Sequence, residues 1–246
     1  MRLVFFKKGV VNTYRLIFLG SVLIISLVII SFFANKSDII KFFHSSTVNS
    51  VIKPYLKLEL TLPPSFHIKN QFPKKQQIIY VMGGDQISLK ARFRKASQLF
   101  QSGFGDRIWV YILPGETTFD RSIGRSLLKQ EWALKQFMQL SITEKDIDFI
   151  DFEEGFFGTL TEGQKIIGHA RHLGYEHINI VTSTYHTKRV EVTFSGFSEK
   201  SNISFNIYDA EDITGFRYLL KEYIKLLVYR YILLPLYVSC PTCWGI

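Results

Sequence analysis

The chain has 246 residues, enough for one α/β domain with a proper core but short for two such domains plus a membrane anchor. Its 47% hydrophobic and 15% aromatic content excludes wholesale disorder. The formal charge of +9 includes Arg2, Lys7, Lys8 and Arg15 at the very start; beyond them 26 basic residues stand scattered among 21 acidic ones, too mild a surplus to argue for nucleic acid.

Residues 1–15 form a basic segment ahead of Leu16–Ala34, an uncharged run with the roughly 20-residue length that crosses a bilayer as a helix. A cleaved signal peptide has a shorter apolar core and small residues at its cleavage site, whereas bulky Phe32 stands here, so a retained anchor is predicted. The four basic residues and the absence of acids before the span place the N-terminus in the cytoplasm and everything after Ala34 on the other side. The remaining positive charge fits a surface beside an anionic leaflet, with membrane lipid as a partner.

Residues 35–76 carry Pro54, Pro63, Pro64 and Pro73 and little periodicity beyond LKLELTL, and read as a linker or stalk. From Gln77 the texture changes. The runs IIYVM, RIWVYIL, IDFIDF, HINIVTS and ISFNIYD are short, apolar and β-branched, as buried strands are. Between them Leu89, Phe93, Ala96 and Phe100 trace one helix face that stops near Gly103. Leu127, Leu134, Phe137 and Met138 trace a second, and Gly163, Ile166, Ile167, Ala170 and Leu173 a third. Strands alternating with helices of this length predict an α/β fold over 77–231: a doubly wound, Rossmann-like, mainly parallel sheet with helices on both faces. Residues 232–246 remain as a tail. It holds the only cysteines, Cys240 and Cys243, which an oxidising compartment would allow to pair. Redox chemistry would need a helix N-terminus there and zinc a second ligand pair, so no metal site is expected.

In such sheets ligands bind beyond the carboxyl ends of the strands. Gly83 and Gly84 follow the first strand, where glycines either let backbone N–H groups approach an anion or simply make a tight turn. The G-x-G-x-x-G and G-K-[ST] patterns are absent, which removes support for NAD and ATP and leaves the cofactor unassigned. Arg92 early in the next helix either clamps phosphate or carboxylate or belongs to a solvated face with Arg94 and Lys95. Glu131 beside Trp132 is either an acid–base group or a surface glutamate, and Thr159 or Thr161 either contacts ligand or caps a helix. In the turn VTSTYHTKRV, His186 at a helix start is predicted neutral, as a base or a hydrogen-bonding imidazole, with Arg189 one turn on.

Taken in order, IIYVMGG, Arg92 in ARFRKA, Glu131 and Met138 in QEWALKQFM, and VTSTYHTKR resemble the YdcF/SanA/ElyC-like family of bacterial proteins. The likeness runs from about Ile78 to Tyr231. Two stretches depart from it: LPGETTF stands where the family has a Gly-rich loop, and Thr159-Leu160-Thr161-Glu162 where it has T-x-E-N. The resemblance implies a single-pass inner-membrane protein whose domain faces the periplasm and serves cell-envelope biogenesis, nearest to peptidoglycan or lipid-carrier metabolism. It also implies that Leu219–Tyr231 is a packed or membrane-surface helix closing the domain.

Two readings follow. In one, a hydrolase or transferase acts on an anionic glycan or lipid-linked envelope precursor: His186 and Glu131 move protons, while Gly83, Gly84, Arg92, Thr159, Glu162, Ser183 and Arg189 bind ligand. In the other, the chain is a non-catalytic scaffold or regulator for other envelope proteins. Convergence of His186, Arg189, Arg92 and Glu131 on one pocket would separate them.

Overall fold

The computed structural model describes residues 45–63, 73, 76–151, 158–211 and 215–239. The span Leu16–Ala34 and both cysteines lie outside the described residues, and within them no helix is long and apolar enough to cross a membrane. The chain divides into two units, Met1–Pro54 and Tyr55–Ile246. In the first, Val48–Ile52 form a π-helical turn in which the Val48 N–H donates to Ser45 Oγ.

The second unit is built on a sheet whose strands are β1 (Gln77–Val81), β2 (Arg107–Tyr111), β5 (Ile147–Ile150), β6 (His177–Ser183) and β7 (Ser204–Ala210). They stand in the order β5-β2-β1-β6-β7, every pairing parallel. All five predicted strands are present. Because β1 and β6 are covered on both faces, every one of their residues is buried, which is why their sequences are continuous apolar runs rather than alternating ones.

The alternation of side chains along β1 divides the core. Ile79 and Val81 pack with Leu89, Phe93 and Ala96 of α2 (Gln86–Gln101) and with Ala133 and Phe137 of α3 (Lys129–Met138). Ile78, Tyr80 and Met82 pack on the opposite face with Ile166 and Ala170 of α4 (Thr159–His172) and with Val190 and Phe194 of α5 (Thr187–Ser201). The helices therefore lie on both faces, as the periodicity predicts. Burying Phe93 against Phe137, with ring centroids 4.4 Å apart, stabilises the unit by about 2 to 3 kcal/mol per aromatic side chain.

Three features depart from the sequence reading. Within the stretch read as linker, α1 (Lys53–Leu60) is helical; Leu56, Leu60 and Leu62 are buried, and the Leu62 N–H donates to Thr187 Oγ1 over 3.0 Å. An antiparallel hairpin, β3 (Glu116–Asp120) and β4 (Arg125–Leu128), stands between β2 and α3 and takes Leu127 out of the helix its spacing suggested. Finally, the closing helix expected over Leu219–Tyr231 is present as α6 (Phe216–Val228), but helical structure continues through a π-helical turn into α7 (Leu234–Ser239), within the stretch read as a tail. Leu219, Tyr223 and Leu226 are buried on one face of α6, while Ile224 on the other is exposed, as are Tyr231 and Ile232 beyond it.

Candidate functional site

The chain winds outward from β1 through β2 to β5, then crosses back to place β6 on the other side of β1 and continues to β7. The topological switch point is therefore the gap beyond the carboxyl ends of β1 and β6. Gly83-Gly84 leave one strand there and the turn Ser183–His186 leaves the other. A cavity of about 510 Å³ opens at this point, within the range of small-molecule sites.

Its floor is a buried polar network. The Tyr80 hydroxyl donates to Glu162 Oε1, which also accepts from the Gly83 N–H at 3.4 Å. Burial pushes the Glu162 carboxyl above its ordinary value, against the lowering effect of the Tyr80 hydrogen bond and of Arg92 and Arg189. Tyr80 is itself pushed far up by burial and by that carboxyl, and stays a neutral donor. Gly83 is required by close approach: a Cβ there would lie 2.8 Å from Tyr111 Cδ1.

Arg92 is neither on a solvated face nor open for a two-point clamp on ligand. It is 2% exposed, and its guanidinium donates to the carbonyls of Met82 and Gly83 and, over 2.8 Å, to Ser183 Oγ. It ties the end of β1 to the end of β6. Ser183 thus serves this tie, 1% exposed and behind the cleft wall.

Arg189 is likewise spoken for. Its Nε and Nη2 donate to Glu222 Oε2 at 3.2 and 2.9 Å, Nη1 donates to Thr159 Oγ1, and the guanidinium lies 5.1 Å over the Tyr229 ring. Glu222 Oε1 accepts from Lys225 Nζ at 2.9 Å. Burial raises the Glu222 carboxyl, but these two cations outweigh it and hold the group below its ordinary value, hence charged.

His186 differs from both arginines. The ring is held by a 3.0 Å hydrogen bond between Nδ1 and Thr182 Oγ1, while Nε2 has no hydrogen-bond partner among the described residues. Burial, then Arg189, Arg92 and Lys225, push its pKa well below the ordinary value, so the imidazole is neutral. It presents a lone pair at Nε2 if Thr182 accepts from Nδ1, or an N–H if Thr182 donates.

The cleft wall carries four cationic side chains, Arg92, Lys129, Arg189 and Lys225, against three carboxylates, Asp85, Glu162 and Glu222, of which burial favours protonation of Glu162. Two helix starts face it and differ. At α2 the Asp85 carboxylate accepts from the Ser88 N–H at 2.8 Å and occupies the positive end of the helix itself. At α4 the capping residue is Gly158, with φ of +46° and no side chain to offer, and Gly158, Thr159 and Thr161 line the cleft. The first N–H groups of α4 have the orientation that binds anions.

Of the residues singled out from sequence, Gly83, Gly84, Arg92, Thr159, Glu162, His186 and Arg189 line the cleft. Glu131 does not. It accepts from Arg125 Nη1 and Nη2 at 2.7 and 2.9 Å and from the Leu128 N–H at 2.9 Å, capping α3. The Arg125 bond, then the Leu128 bond, bring its pKa down to about 2, the opposite of what a general acid needs. Sequence reasoning passed over Tyr80, Lys129, Glu222 and Lys225. Glu222 did carry a signal: it falls three residues after Leu219 and four before Leu226, on a face that is otherwise apolar. Among the described residues no cluster of three or more His, Cys, Asp or Glu side chains is placed to hold a metal ion.

No protein-family model, no curated protein and no solved structure matches the chain. The likeness to the YdcF/SanA/ElyC-like proteins rests on the quoted motifs.

Proposed function

We propose that the chain is a membrane-anchored periplasmic protein of cell-envelope biogenesis whose switch-point cleft binds, and through His186 processes, an anionic envelope precursor bearing phosphate. The observation that carries this reading is the neutral His186 ring in the wall of a cleft with a surplus of cations, its buried Nε2 without a hydrogen-bond partner among the described residues, beside the start of α4, where Gly158 offers no capping side chain. Phosphate esters suit that arrangement: backbone N–H groups and Lys129 meet the non-bridging oxygens, while the fixed charges of Arg92 and Arg189 favour the added negative charge without having to leave their partners. His186 is then the base or nucleophile, and Glu162, whose carboxyl burial pushes above its ordinary value, the proton donor to a leaving oxygen. The proton-transfer role expected of Glu131 passes to Glu162.

The test is binding and turnover of a panel of phosphate esters, glycan phosphates and short prenyl phosphates by the purified full-length chain. Binding of at least one class is expected, with turnover lost in His186→Asn and binding retained. A chain that binds none of them lacks this function. Turnover unaffected by His186→Asn removes the histidine from the chemistry.

A further inference from the structure

A second groove, of about 500 Å³, adjoins the cleft on the α3 side. The two share Gly84, Asp85, Leu89, Ile112 and Lys129, so one molecule can occupy both without leaving the surface. Their walls differ in kind. The cleft is built from arginine, lysine, glutamate and histidine side chains; the groove is walled mostly by carbon, from Ile87 and Leu89 of α2, Ile112 and Trp132. Its outer wall is the β3 end of the hairpin, at Glu116 and Thr117.

Two details make this groove more than incidental roughness. Ile87 is 74% exposed although it stands at the second position of a helix whose other apolar residues are turned into the core, so a β-branched side chain is kept in water at the groove's lip. Lys129 stands at the junction of the two spaces, where an ammonium group meets a phosphate while its methylenes continue the apolar wall. Charge complementarity on one side and continuity with an apolar trough on the other define an amphiphile.

We infer that the ligand of the cleft is an amphiphilic phosphate: the phosphate lies among Lys129, His186 and the start of α4, and a linear or branched aliphatic chain runs from it along the groove between Ile87 and Trp132. This rests on the anion reading above and narrows it from glycan or lipid-linked precursor to the lipid-linked kind. A sugar phosphate would set part of its hydroxyls against Ile87, Leu89, Ile112 and Trp132, whose carbon surface cannot replace the water they lose.

The experiment is calorimetric titration of the full-length chain, held in amphipol, with inorganic phosphate and with n-alkyl phosphates from ethyl to octyl. Each methylene fully buried improves affinity by about fourfold, so even a half-open groove, at about twofold for each of the six added methylenes, yields a gain of about sixtyfold from ethyl to octyl phosphate. Ile87→Ser, at an exposed position that the fold tolerates, and Trp132→Ala are each expected to cut that gain to about tenfold. Ile87→Ser carries the test if Trp132→Ala does not fold. Phosphate binding with no dependence on chain length overturns the amphiphile and leaves the anion site standing. A dependence that survives intact in both variants puts the chain elsewhere and overturns the groove. Absence of binding by inorganic phosphate and by every alkyl phosphate removes the anion site and this inference with it.

Discussion

Arg189 and His186 stand one helical turn apart, yet their removal has different consequences. Arg189→Ala would leave Glu222 buried with only Lys225 to balance it, and is expected to cost about 3 kcal/mol of stability. His186→Asn loses the bond to Thr182 and a little packing, about 1 kcal/mol, and leaves no buried charge unpaired. Chemical denaturation of the two variants measures both, and adding Glu222→Gln to Arg189→Ala should restore part of the loss. Equal losses for the two single variants would show that the Arg189–Glu222 pair is not the stabilising element described. Arg92→Lys is expected to cost about 2 to 3 kcal/mol by the same measurement, because an ammonium cannot reach the Met82 and Gly83 carbonyls and Ser183 Oγ together.

A further residue-scale prediction concerns His177 at the opposite end of the sheet. Its ring lies between Ser204 Oγ at 2.7 Å and Asn179 Oδ1 at 3.2 Å, and burial lowers its pKa from 6.5 to about 4. Above pH 6.5 the ring is neutral in both states and its contribution is fully present. As the pH falls from there toward 4, the unfolded chain takes up a proton that the folded one refuses, so stability is lost, by about 3 kcal/mol at most. His186, depressed in the same direction, adds a loss of the same sign. Denaturation at a series of pH values should show the decline, and His177→Gln should make it shallower. A slope unchanged by that substitution would mean that the histidine is not the group responsible.

At the scale of elements, the strands were legible because burial on both faces of a parallel sheet leaves no room for polar residues, and the motif-bearing turns follow from where those strands end. The hairpin was not legible. β3 and β4 pair only with each other, and Phe119 and Leu128 remain exposed, so neither strand shows a buried period. The Leu127, Leu134 and Met138 spacing then extended α3 backward across β4. The role of Glu131 was hidden for the same reason, since its partner Arg125 is brought to it by the hairpin. Neither the ligand clamp nor the solvated face read for Arg92 anticipates its place, because only the carbonyls at the end of β1 give the guanidinium a reason to turn inward. The hairpin's exposure makes its apolar tip dispensable for folding: Phe119→Ser should change stability by about 0.5 kcal/mol or less. Gly83→Ala, pressed against the Tyr111 ring, should cost about 1 to 3 kcal/mol. Thermal melts of the two variants in parallel decide the contrast, and a Gly83→Ala melt matching the parent chain would refute the close approach.

For the molecule as a whole, the basic segment before Leu16–Ala34 predicts one orientation. A reporter fused after Tyr231 is expected to be active only in its periplasm-competent form, and the product should fractionate with the inner membrane. Activity of a cytoplasm-competent reporter, or a soluble product cut near Ala34, would reverse the topology.

The pairing of β1 with β6 also has a consequence in time. Ile78 lies beside Ile178, so the central seam of the sheet joins residues a hundred positions apart. A chain emerging N-terminus first can form β1, β2 and β5 while the edge of β1 that pairs with β6 stands bare, its backbone N–H and C=O groups without strand partners. Such long-range closure is slow, and the waiting edge is prone to pair with a neighbour. The switch-point cleft comes into being only when that seam closes, so products truncated before His177 are expected to lack the proposed activity and to be aggregation-prone, and the nascent chain to need protection until its last third has arrived.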